Sequence, residues 1–161
     1  METVRNALAT SGLLATRLDL EVTESVLLRQ DDETLAVLND LRRLGVTISL
    51  DDFGTGYSSL GYLCNFRFDR LKIDRAFVKS LTQRDESDAV VQAVVGIGAA
   101  LGIATVAEGV ETSAQFLRLR RLGCIEEQGV LFGEARPGAE IPAMLAAFQS
   151  RRANAGSLAF A

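Results

Sequence analysis

The chain has 161 residues, 48% of them hydrophobic and 24% charged, which is enough for one buried core and falls in the size range of a single domain. Its 17 basic residues against 21 acidic ones leave a net charge of −4, which argues against the broad basic face that a nucleic-acid polymer requires. Histidine is absent, removing the commonest zinc ligand and the commonest general base at neutral pH, so acid/base chemistry falls to carboxylates or lysine.

Residues 1–17 read as a helical lead-in without the basic, apolar pattern of a secretory signal, and the expected location is the cytoplasm. A first strand is predicted over 18–22. A helix opens near Asp31 and Asp32, carries Leu35, Leu38, Leu41 and Leu44 on one side, and stops at Gly45. The second strand begins over 46–50. After Gly54 and Gly56, residues 58–63 can make a short helix, and 70–74 supply the third strand. Residues 89–107 are apolar enough to imitate a membrane span. Gly102 divides them into a buried helix, capped by Ser87 or Asp88, and a fourth strand over 103–107, so no membrane span is expected. Thr112 and Gln115 form a capping box for the next helix, which stops at Gly123. A short fifth strand covers 124–128, Pro142 suits the first turn of a last helix, and the tail from Ser150 looks frayed. Cys64 and Cys124 read as reduced core thiols in apolar-rich surroundings.

Strand, turn and helix alternate, which predicts an α/β fold of parallel βα units. A complete TIM-type (β/α) barrel takes roughly 250 residues for eight units, so this length covers about five, and the expected architecture is an incomplete barrel. A doubly wound open sheet is the alternative that unit counting leaves standing.

Acidic residues recur at the predicted carboxyl ends of the strands: Glu21 in the first, Asp51 and Asp52 ending the second, Asp74 ending the third and Glu108 ending the fourth. Alternation puts Asp19 and Glu21 on one face, opposite Leu18, Leu20 and Val22, and likewise sets Lys72 and Asp74 against Leu71 and Ile73. Buried acids in a parallel sheet carry a desolvation penalty that a divalent cation would offset. Oxygen ligands without histidine or cysteine suggest Mg²⁺ or Mn²⁺, as one or two ions, with Asp51 and Asp52 at a strand-to-loop junction able to serve neighbouring ions. Lys72 is read either as an ion-pair partner for Asp74 or another nearby acid, or as a group that orients phosphate or the attacking water.

Five segments in order, Glu21-Val-Thr-Glu-Ser25, Asp51-Asp-Phe-Gly-Thr-Gly-Tyr-Ser-Ser-Leu60, Leu71-Lys-Ile-Asp-Arg75, Ala107-Glu-Gly-Val-Glu-Thr112 and Gln128-Gly129, resemble the EAL family of cyclic di-GMP phosphodiesterases. The resemblance implies metal-assisted hydrolysis of one phosphodiester bond of cyclic di-GMP to a linear dinucleotide. It implies metal ligation by Glu21, Asp51, Asp52 and Glu108, with Glu108 alternatively activating water. Lys72, with Asp74 beside it, would lie near the scissile phosphate, and Gln128 would line the phosphate or water site. Thr23, Glu24 and Glu111 would brace the loop over 53–57. The family's Glu-Ala-Leu tripeptide, and the asparagine ligand expected on the strand after it, have no counterpart here, and Ile125 and Val130 replace an acid and an aromatic. The expectation is therefore a truncated domain spanning residues 1–161, weak or inactive alone, with βα units over 18–149. A noncatalytic cyclic di-GMP-binding or protein-interaction module is the alternative. A phosphoryl-accepting receiver ranks lower, because the acid pair falls on the second strand. Open strand edges further predict a homodimer or larger assembly.

Overall fold

The computed structural model describes residues 1–27, 32–54, 61, 63, 66–81 and 85–154. Five parallel strands, β1 (Asp19–Thr23), β2 (Thr47–Phe53), β3 (Arg70–Ile73), β4 (Ala104–Ala107) and β5 (Glu126–Glu127), form one sheet in the order β1-β2-β3-β4-β5. That order decides between the two architectures. A doubly wound sheet reverses at a switch point and places sequential strands apart, whereas a TIM-type barrel adds each strand beside the one before it. The chain is α/β, with a barrel-like arc of strands.

Helices α1 (Glu2–Ser11), α2 (Glu24–Leu27), α3 (Asp32–Arg43), α4 (Arg75–Ser80), α5 (Asp85–Leu101), α6 (Ser113–Leu122) and α7 (Ile141–Asn154) accompany the sheet. The core joins Leu38 and Leu41 of α3, Ile48 and Leu50 of β2, Leu71 and Ile73 of β3, Val91 and Val94 of α5, and Leu119 of α6. Leu35 and Leu44 pack against its margin, so the predicted leucine stripe is the buried face of α3. The apolar run over 89–107 divides at Gly102 as its pattern implies. Among the described residues no helix is long and apolar enough to cross a membrane.

The capping box is present in full. Thr112 Oγ1 accepts from the Gln115 amide at 3.2 Å, and Gln115 Oε1 accepts from the amides of Thr112 and Glu111, each at 2.9 Å. Gln115 Nε2 also donates to the carbonyl of Val78 at 3.2 Å, which ties the start of α6 to α4.

Several boundaries differ from the sequence expectation. Neither Ser87 nor Asp88 is a cap, because α5 already begins at Asp85. They fasten that helix to its neighbours: Ser87 is buried and shares a hydrogen bond with Ser80 at 2.7 Å, and Asp88 pairs with Arg118 of α6. Helix α7 continues to Asn154, past the predicted fraying at Ser150, with Pro142 in its first turn. Strand β2 runs on through both aspartates to Phe53, while β5 contracts to two residues. Cys124 is buried with a free thiol, which burial pushes above its ordinary pKa, so it stays protonated. Asp31, Cys64 and most of the helix expected over 58–63 lie outside the described residues.

Candidate acidic site at the strand ends

Alternation along the strands stacks polar side chains in two layers on one face of the sheet. In the lower layer, Ser49 Oγ donates to Asp19 Oδ1 at 2.8 Å. Arg70 reaches Asp19 Oδ2 at 3.1 Å with Nη1 and Glu126 Oε2 at 3.2 Å with Nε, joining side chains of β1 and β5 across β3. Two residues further along β1, β2 and β3, the upper layer gathers around Lys72, joined by Glu108 after β4. Its Nζ lies 2.6 Å from Glu21 Oε1, 2.5 Å from Glu108 Oε1 and 3.4 Å from Asp51 Oδ1. Lys72 is only 5% exposed, although Glu21 is about half exposed.

Burial opposes the charge on Lys72, and hydrogen bonds to Glu108 and Glu21, with the charges of Glu108 and Asp51, more than overcome it. The pKa is thus pushed above the ordinary lysine range. Of the partners that the sequence left open for Lys72, the structure selects acids on β1, β2 and the end of β4. Asp74 is different. It lies just beyond β3 and caps α4, its Oδ1 accepting from the Ala76 amide at 2.7 Å. Helix α4 was not anticipated, because Asp74 read as the last strand residue.

The adjacent aspartates would point to opposite faces of a regular strand. Here the β2–β3 register runs from Leu50↔Leu71 to Phe53↔Ile73, so Asp51 and Asp52 together oppose Lys72 in a bulge. Asp52 has φ 57, in the left-handed region, where aspartate is one of the few tolerated side chains. Asp51 consequently faces Lys72 while Asp52 faces Asp74. Burial, followed by the charges of Asp51 and Asp74 and a hydrogen bond with Asp74, raises the Asp52 pKa against the lowering effect of Lys72. A left-handed, charge-crowded residue at a strand end is strain of the kind that accumulates at functional sites.

Glu108 follows β4, its amide donating to Ile73 O at 3.1 Å. The Gln128 amide donates to Ala107 O at 2.8 Å, and Gln128 O accepts from the Val110 amide at 3.0 Å. Glu108 and Gln128 line a cleft of about 650 Å³ together with Arg75, Lys79 and Glu111. Thr23 is the register partner of Asp51, and Glu24 is buried at the start of α2. The segment over 55–60, most of the loop that Thr23, Glu24 and Glu111 are expected to brace, lies outside the described residues. Arg75 and Lys79 also line this cleft and were not among the expected site residues; a cation pair at i and i+4 directly after the Lys72 strand was the available signal.

A divalent cation fits this set in donor type and in charge. Glu21, Asp51 and Glu108 surround one ammonium, with Asp52 and Asp74 paired beside them, and all five carboxylates are hard oxygen donors. Asp51 Oδ1 is buried and, apart from the ion pair with Lys72 at 3.4 Å, has no hydrogen-bond partner among the described residues. No three acids or thiols among the described residues group closely enough to enclose an ion by themselves, because the Lys72 ammonium stands between them.

The EAL domain family model matches residues 1–135. The chain belongs to the EAL domain family. This EAL chain is 47% identical over 146 residues to the bifunctional diguanylate cyclase/cyclic di-GMP phosphodiesterase MucR of Pseudomonas aeruginosa, covering 91% of this chain and 21% of MucR. The solved MucR phosphodiesterase in complex with c-di-GMP superposes with a TM-score of 0.82 at 47% identity, covering 87% of this chain and 57% of that one. Klebsiella pneumoniae BlrP1, solved as a manganese and cyclic di-GMP complex, gives a TM-score of 0.77 at 35% identity, covering 83% of this chain and 34% of that one. This EAL chain spans less than a third of the length of the curated relatives it matches.

Proposed function

We propose that these residues form part of an EAL-type domain that hydrolyses one phosphodiester bond of cyclic di-GMP to the linear dinucleotide, in the cytoplasm and with one or two Mg²⁺ or Mn²⁺ ions. The observation that carries this reading is the convergence of Glu21, Asp51 and Glu108 on Lys72 at the strand ends. Glu21, Asp51, Asp52 and Glu108 would hold the ions, which when bound lower the pKa of water and offset phosphate charge. Because its pKa is raised, Lys72 stays protonated through the neutral range and acts as a cation that orients the scissile phosphate, not as a base. The proton of the attacking water therefore goes to a carboxylate, and Glu108, which touches both Lys72 and the cleft, is the one we assign. Gln128 positions the phosphate or water from the β5 side, and Asp74 supports Asp52. Thr23, Glu24 and Glu111 brace the loop after β2.

The resemblance implies two further ligands, a glutamate and an asparagine, that have no counterpart in these 161 residues, and an incomplete ligand set would leave substrate imperfectly positioned. The chain is therefore expected to bind cyclic di-GMP in the presence of Mn²⁺ by calorimetry while forming little linear product by chromatography. Turnover matching a whole EAL domain would contradict the partial-domain reading. Absence of both binding and turnover would contradict the nucleotide assignment and favour a protein-interaction module.

Assembly is part of the same proposal. Strands β1 and β5 each have one side without a strand partner among the described residues, and unpaired parallel edges are normally covered. A homodimer or larger assembly is expected by light scattering, and a monomer at micromolar concentration would remove this element.

A further inference from the structure

We propose that Arg75 and Lys79 form an anion subsite that holds the second phosphate of the cyclic dinucleotide, the one not undergoing hydrolysis. This rests on the nucleotide reading above and adds residues that the motif comparison leaves without a role. Four residues apart on α4, the two side chains share one face and line the cleft beside the acidic cluster. Both are exposed, and neither has an ion-pair partner among the described residues, although Glu108 and Glu111 line the same cleft. Most solvated lysines and arginines on a helix have no ligand. Here the wall they occupy continues into the Lys72 site through Glu108, which borders both.

Glycines permit close packing in the cleft wall. Gly109 has φ +68, and a Cβ there would stand 2.7 Å from Arg75 Cβ, so the bare backbone lets the arginine stem cross close above it. A Cβ on Gly129 would meet Val110 O at 2.2 Å. The cleft volume, about 650 Å³, is in the range of small-molecule sites. A substrate with two phosphates that approaches this carboxylate cluster is repelled at the phosphate the metal site does not take. Two unpaired cations next to that site offset the repulsion, and the planar guanidinium can bind phosphate through two parallel hydrogen bonds.

The test uses the whole chain and two probes. Inorganic pyrophosphate, titrated by amide NMR, should shift Gly109, Gly129 and the α4 amides in the unsubstituted protein, and these shifts should vanish in R75Q/K79Q. Calorimetry with cyclic di-GMP should show about tenfold weaker binding by R75Q/K79Q, whereas the charge-conserving R75K/K79R should stay close to the unsubstituted protein. Absence of pyrophosphate shifts at the cleft overturns the anion subsite whatever cyclic di-GMP does. Pyrophosphate shifts with unchanged cyclic di-GMP affinity in R75Q/K79Q overturn the assignment to the second phosphate. Pyrophosphate shifts in a protein that does not bind cyclic di-GMP overturn the nucleotide reading while supporting the anion subsite.

Discussion

Lys72→Met is expected to destabilise the protein by about 2 kcal/mol at neutral pH and to abolish phosphodiester hydrolysis in any longer chain that supports it. Methionine fills the same space but leaves Glu21, Asp51 and Glu108 without the ammonium that now lies within 3.4 Å of each. Removing one partner of a buried pair costs roughly 3–5 kcal/mol, and the lower figure expected here reflects the half-exposed Glu21, which water can screen. The pH dependence has a definite sign. Without the cation the three ionised carboxylates repel one another, and protonation relieves that repulsion. The deficit is present at neutral pH and disappears as pH falls below the unfolded carboxylate range near ~4. In the unsubstituted protein the raised Lys72 pKa contributes stability that is present below the unfolded lysine value near ~10.4 and is lost only as pH rises through the folded value. Urea unfolding of both proteins at several pH values measures this directly, and coincident curves at pH 7 would show that the ion-pair cluster contributes no net stability.

Asp52→Asn is expected to have opposite effects with and without divalent ions. In metal-free buffer it relieves the repulsion from Asp51 and Asp74 that, with burial, raises the Asp52 pKa, so the melting temperature rises. Asparagine also tolerates the left-handed backbone at this position, so the bulge is preserved. The gain appears as pH climbs through the raised carboxyl pKa and is absent below the unfolded aspartate value near ~3.9. With Mn²⁺ at a hundred times its Kd, the unsubstituted protein should gain about 2.7 kcal/mol, and the variant markedly less, because it lacks one ligand. Equal stabilisation of both proteins by Mn²⁺ would remove Asp52 from the ligand set.

The strands, the leucine face of α3 and the Thr112–Gln115 cap were legible because each rests on a local rule of spacing or side-chain chemistry. Alternation foretold that Asp19 and Glu21 share a face, whereas the pairs Ser49 with Asp51 and Arg70 with Lys72, which complete the two polar layers, follow the same period but were not singled out. What stayed hidden depends on relations between strands. Nothing in the segment around Lys72 says that its partners come from β1, β2 and the end of β4, because register across a sheet is not written in any one strand. The bulge that turns Asp51 and Asp52 to different neighbours is equally invisible locally. Asp74 could end a strand or cap a helix, and the β-branched and aromatic residues after it obscured a helix of six residues. Ser87 and Asp88 look like caps by type, yet they sit inside α5 and bond outward to α4 and α6.

The strand order also bears on how the chain gets there. Paired residues in adjacent strands lie only 20 to 34 positions apart, from Val106 with Glu126 to Arg70 with Ala104, so no pairing waits for distant parts of the chain to meet. The entropy of closing each loop stays modest and nearly constant along the arc, since doubling a loop's length adds only about 0.6 kcal/mol. Ordering can then advance one βα step at a time, each completed pair presenting a ready template for the next.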